Sequence, residues 1–136
     1  MALPLPVVPR SLRYAAVAIV CGIIFYFSIL AIPPDTPAPD SLALPTWRHF
    51  LAYFVLGLSI AYTLTDRPIS RRRKALLVVA LATGYGALIE LGQVFVPERH
   101  ASLADVVINA ASVSVSLCWY LIEPYVDHVD VTSLVE

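Results

Sequence analysis

Charge is scarce in this sequence: 14% of its 136 residues are Asp, Glu, Lys or Arg, where soluble domains carry roughly 25%. With 59% of residues hydrophobic, that shortfall excludes an ordinary soluble domain. Cysteine is scarcer still. Cys21 and Cys118 both fall inside apolar runs, where a thiol packs as a small hydrophobe, so neither a disulfide framework nor a cysteine metal site is expected. No serine or cysteine stands beside an evident base, and no metal motif of tight spacing occurs. The net charge of −1 points to no partner by itself, but the placement of the charges is informative.

What the chain does have is long apolar runs. The opening segment, MALPLPVVPRSLR, holds Pro4, Pro6 and Pro9 and is not expected to be helical. The run at 14–32 is too long for the apolar core of a signal peptide, about 7 to 15 residues, and reads as a retained anchor. PPDTPAPDSLALP then breaks any helix and carries no Lys or Arg. A second run follows at 47–65, with Trp47 and Arg48 suited to a membrane interface. DRPISRRRK is the strongest topological signal, because basic loops stay in the cytoplasm. That rule accounts for the basic run without a nucleic-acid or lipid-headgroup site, and no nucleic-acid partner is expected. Further runs at 74–96 and 103–123 complete an all-α fold, a polytopic membrane protein built as a compact bundle of four transmembrane helices. Residues 1–136 form one domain, with 1–13 and the acidic tail 124–136 loosely ordered. Both termini are expected in the cytoplasm, an arrangement that keeps Arg10, Arg13, Arg67, Arg71, Arg72, Arg73 and Lys74 on one side.

Against this apolar background, residues 84–109 hold Glu90, Gln93, Arg99, Asp105 and Asn109. A carboxylate inside a membrane helix is costly enough to face the bundle interior or a water-filled cavity, and marks a functional site by default. In a four-crossing chain the second span begins, the third ends and the fourth begins at the non-cytoplasmic side, so these residues gather at one face. At 1.5 Å per residue, Glu90, Asn109 and Tyr53 lie about 9 Å below the rim, with Gln93, Asp105 and His49 in a shallower layer and Arg99 and His100 in the loop above. His49, Tyr53 and Gly57 share a helix face, as do Asp105, Asn109, Ser112 and Ser116. Glycines and small residues, among them Gly57, Gly84, Gly86 and Gly92, let the helices approach closely. Polar residues of this kind also fasten helices, at about 0.6 kcal/mol per hydrogen bond, but the size of the set favours a pocket.

The ordered set of His49 and Tyr53 as HxxxY, Glu90 and Gln93 as ExxQ, and Arg99, Ser102, Asp105 and Asn109 as RxxSxxDxxxN resembles the VanZ-like membrane proteins. The resemblance covers about 65 residues, from His49 to Asn109, together with the four-helix plan. It departs from the family pattern at Pro45 and Thr46, where an Asp and a Lys often precede the His, and at Ser112, where a Gly is usual. The family takes its name from a protein linked to low-level resistance to the glycopeptide teicoplanin, so the resemblance implies a role at the cell envelope, with membrane lipids or a lipid-linked envelope precursor as partner. It also draws Ser102 into the substrate-binding set with Arg99, Gln93, Asn109 and Tyr53.

Three functions fit. The first is an enzyme acting on an anionic lipid or envelope headgroup, with Arg99 clamping a pair of oxygens, Glu90 or Asp105 as acid or base, and His49 as proton relay or nucleophile. The second is binding or transport of an amphiphile without chemistry. The third is an accessory protein in which a Glu90–Arg99 pair sets helix register. No cofactor is required by the sequence, although His49, Glu90 and Asp105 can hold a divalent cation if they converge.

Overall fold

The computed structural model describes residues 3–31, 43–97, 99 and 101–130, with side chains described for all of these except 3–6, 43–46 and 127–130. Most of the proline-rich loop expected at 33–45, His100 in the short loop, and the end of the tail, 131–136, lie outside the described residues.

Helix α1 spans Arg10–Phe25 and continues as a π-helical turn over Tyr26–Leu30. Its start is set by Pro9, whose carbonyl accepts the amides of Leu12 and Arg13. The wide turn closes where the Ala31 amide donates to Tyr26, just ahead of Pro33 and Pro34, before which α-helix is disfavoured. Helix α2 covers Ala43–Thr63, starting four residues ahead of the expected span; its Pro45 lies in the first turn, where proline is tolerated. Helix α3 covers Arg71–Gln93. Ser70 accepts the Arg73 amide at 3.4 Å, so the RRRK run forms the first turn of α3 instead of preceding it. Helix α4 spans Leu103–Ser116, and after a turn at Leu117 and Cys118 the chain continues as α5, Trp119–Ile122, and a 3-10 turn, Glu123–Tyr125.

The long helices alternate in direction. At one end, Arg13 of α1 reaches the carbonyls of Tyr62 and Thr63 at the end of α2, Lys74 of α3 meets Glu123 at 3.6 Å, and the Trp119 indole donates to Thr65. At the other end, Gln93 of α3 donates to the Ser28 carbonyl. Helix α2 packs against the other three and has its largest interface with α4. That closeness depends on Gly57, because a Cβ there would sit 2.9 Å from the Ser116 Cβ and 3.6 Å from the Val113 Cα. The Ser112 hydroxyl bonds the Phe50 carbonyl across the same seam.

The pattern of burial is inverted relative to a soluble bundle. Ile19, Leu76, Leu88, Leu103 and Leu121 point outward, while Arg13, Lys74, Glu90, Gln93, Asn109, Ser112 and Ser116 are buried. Three helical stretches, Arg10–Leu30, Arg71–Gln93 and Leu103–Tyr125, are long and apolar enough to cross a membrane. An outward apolar face of this extent suits a lipid solvent and would be a liability in water.

The two ends of the chain differ from the loosely ordered segments expected of them. Strand β1, Leu3–Val7, pairs in parallel with β2, Val126–Asp130, in the register Leu3↔Val126 to Val7↔Asp130. Prolines are tolerated in such a strand because it is an edge strand. The pair closes off the end of the bundle where Arg10 and Arg13 meet Asp66 at 2.8 and 2.9 Å.

Candidate functional site

The site lies at the end of the bundle opposite that charged floor and is built from α2, α3 and α4. Ser102 caps α4 by accepting the Asp105 amide at 3.4 Å. In an ordinary capping box the acidic residue at Asp105's position would reach back to the Ser102 amide. Here that amide donates instead to the Glu90 Oε2 of α3, at 3.0 Å. Glu90 thus ties α3 to α4, and Asp105 keeps its carboxylate for other contacts.

Those contacts lie close by. One ligand-type atom from each of His49, Glu90 and Asp105 falls within 4.8 Å of the other two. Glu90 is 4% exposed, and its second oxygen, Oε1, is buried without a hydrogen-bond partner, as is the His49 Nδ1. One helical turn deeper are Tyr53, four residues after His49, and Asn109, four after Asp105. They flank Gly86, four before Glu90: a Cβ there would lie 3.0 Å from both the Asn109 Nδ2 and the Tyr53 Cε1. Tyr53 and Asn109 are fully buried, yet the Tyr53 hydroxyl and both ends of the Asn109 amide have no partner. Because a Cα–Cβ bond tilts toward its helix N-terminus, Tyr53 and Asn109 lean up toward the His49 layer and Glu90 leans down to meet them.

The remaining expected site residues turn elsewhere. The Gln93 amide donates to the Ser28 carbonyl at 3.2 Å, and the Arg99 Nη2 donates to the carbonyls of Phe27 and Ala31 at 2.8 and 2.7 Å. Both satisfy groups that the π-helical end of α1 leaves open. Among the described residues the ion pairs join Arg10 and Arg13 to Asp66 and Lys74 to Glu123, and the Glu90–Arg99 pair considered from the sequence is not among them. The depth of Glu90 also needs correcting. Helix α3 ends at Gln93, not Val96, so Glu90 lies about 4.5 Å from the helix end and joins the layer of His49 and Asp105. A groove lined by Val8, Leu12, Arg13, Ala16, Ser59 and Tyr62 opens beside the charged floor, away from these residues.

The role of α1 was not legible in the sequence, because it draws Gln93 and Arg99 away from the cluster through backbone carbonyls and not through side chains. Only the Pro33-Pro34 pair in the sequence, before which helix is disfavoured, signals that such carbonyls exist. Chemically, two carboxylates and an imidazole form an acidic nest that attracts a proton or a cation, with the Tyr53 hydroxyl and the Asn109 amide ready to donate or accept hydrogen bonds beneath it. Comparison with protein-family models, with characterised proteins and with solved structures gives no match to this chain.

Proposed function

We propose that the chain is a VanZ-like integral membrane protein with four crossings and both termini in the cytoplasm, whose polar site under the outer boundary recognises or modifies a phosphate-bearing lipid or envelope headgroup. Helix α2, 21 residues long, supplies the fourth crossing. The observation that carries the functional reading is the set of buried, partnerless polar atoms on three helices: the Tyr53 hydroxyl, the Glu90 Oε1, both ends of the Asn109 amide and the His49 Nδ1. Each unsatisfied polar atom costs about 1–3 kcal/mol. A protein that leaves several together holds them for a ligand, since a set kept only to fasten helices would pair them with one another. In the catalytic form, Glu90 or Asp105 takes or gives the proton and His49 relays it.

A second reading, helix fastening without a ligand, draws on Arg99 and Gln93, whose donors already bind α1. One experiment separates the readings. Purified protein is incubated with lipid phosphates and lipid-linked envelope precursors, and the products are compared with those of Glu90→Gln. Turnover lost in the variant supports an enzyme, and binding lost without turnover in either protein supports a binding module. If Glu90→Gln changes neither but lowers thermal stability, the site only fastens helices.

A further inference from the structure

The geometry points to a divalent transition-metal site formed by His49, Glu90 and Asp105, with Tyr53 and Asn109 beneath it to hold what the ion binds. Binding of the ion stands on its own geometry; its use, to take a phosphate oxygen of the headgroup, rests on the function proposed above.

The residues come from α2, α3 and the first turn of α4, so the site forms only when the bundle closes. Their donor set is one imidazole nitrogen and two carboxylates. Imidazole suits Zn, Cu, Fe or Ni and carboxylate suits Mn, Mg or Ca, so the imidazole turns the combination toward ions such as Mn2+ or Zn2+ and away from Ca2+. Ligands about 2.0–2.2 Å from a tetrahedral ion stand roughly 3.4 Å apart. The present separations, within 4.8 Å, are of the order that a bound ion would draw together.

Two further observations point to a ligand. The Ser102 amide fixes the Oε2 of Glu90 and leaves its Oε1, on a side chain more than nine-tenths buried, without a partner. An outer hydrogen bond that orients a ligating carboxylate is a regular feature of metal sites. The fully buried Asn109 amide, one turn below, has neither end bonded, as a group waiting to bond an ion-bound oxygen would. The ion also resolves an electrostatic difficulty. Two carboxylates repel an anionic headgroup, and the guanidinium of Arg99 already spends its Nη2 on α1. A bound dication cancels the charge of the two carboxylates and leaves open positions for phosphate oxygen.

The test uses the full chain in detergent, stripped with chelator and titrated with Mn2+ while the free-ion paramagnetic resonance signal is followed. Saturation at one ion per chain is expected, with displacement by Zn2+. Glu90→Gln keeps the size of the side chain, and Asp105→Asn and His49→Gln provide independent variants should one fail to fold. Each variant whose helical circular dichroism is unchanged is expected to weaken Mn2+ binding by at least about ten-fold. Binding that does not saturate, or that survives in all folded variants, overturns the site. Phosphatidic acid vesicles are then added with and without Mn2+. Capture that requires Mn2+ supports both the ion and the headgroup. Saturable Mn2+ binding without capture supports the ion and removes the headgroup reading. Capture that needs no metal and is lost in Glu90→Gln overturns the ion's role and leaves the headgroup reading standing.

Discussion

The side chains of this protein do their work mainly by closing helix ends, and Arg13 is the clearest case. It is 3% exposed, and it pairs with Asp66 while one of its nitrogens also reaches the last carbonyls of α2. Cations at a helix C-terminus are favoured by the unsatisfied carbonyls there. The guanidinium of Arg13, joined by that of Arg10, holds the Asp66 carboxyl well below the usual carboxylate range, against the opposing pull of burial. Since the folded value is depressed, the pair stabilises the protein fully above the unfolded pKa of about 3.9, and its contribution is lost as pH falls from there toward the folded value. Asp66 is 30% exposed at its side chain and Arg13 only 2%, so removing the anion strands a buried cation beside a partly screened partner. Asp66→Asn is expected to cost about 1–3 kcal/mol, between the values for exposed and buried pairs. Thermal unfolding in detergent across pH should show a constant difference between wild type and variant above about pH 5, shrinking below pH 4. A gap that stays constant into that acid range would mean the pair is not the source of the stability.

At the scale of helices, the seam between α2 and α4 decides how the site is held. Gly57 faces Ser116 and Val113 so closely that a Cβ has no room without movement. Gly57→Ala is expected to destabilise by about 1–3 kcal/mol through overpacking, and Ser116→Gly in the same chain should recover most of that loss. If the double variant unfolds no later than Gly57→Ala alone, the seam is not limited by this contact. The small residues that make the seam were legible from their spacing: Gly57 follows Tyr53 by one turn, and Ser112 and Ser116 continue the face of Asp105 and Asn109. Helix ends were less legible, because they depend on partners far along the chain. The end of α3 at Gln93 goes with a bond to Ser28, 65 residues away, and the π-helical turn of α1 is satisfied by Arg99, 68 residues from Ala31. Apolar periodicity carries no record of such pairs. That His49 and Asp105 share a layer was readable because direction alternates along the chain and each lies near the same end of its helix, whereas Glu90 was expected one layer deeper because the end of α3 was not readable. The separation of Arg99 from that group was not, since a loop arginine can turn to either side.

For the whole molecule, the pairing of β1 with β2 bears on how many times the chain crosses. A parallel strand pair joins the segment before α1 to the segment after α5, and two ends that hydrogen-bond to each other lie on the same side of a bilayer. That supports an even number of crossings, in line with the proposal that α2 crosses beside the three stretches of sufficient length and apolarity. The proposed cytoplasmic side rests on charge: Arg10, Arg67, Arg71, Arg72 and Arg73 all belong to the end with the strand pair, and basic segments of short loops favour the cytoplasm. Single cysteines test this in a chain with Cys21→Ala and Cys118→Ala. Pro68 and Ala101 are both exposed, at opposite ends of the bundle. A membrane-impermeant thiol reagent applied to intact cells should label Ala101→Cys and reach Pro68→Cys only after permeabilisation. Labelling in the reverse order would place the His49, Glu90 and Asp105 cluster on the cytoplasmic side, where an outer-leaflet headgroup cannot reach it, and would overturn the proposed substrate class while leaving the metal site intact.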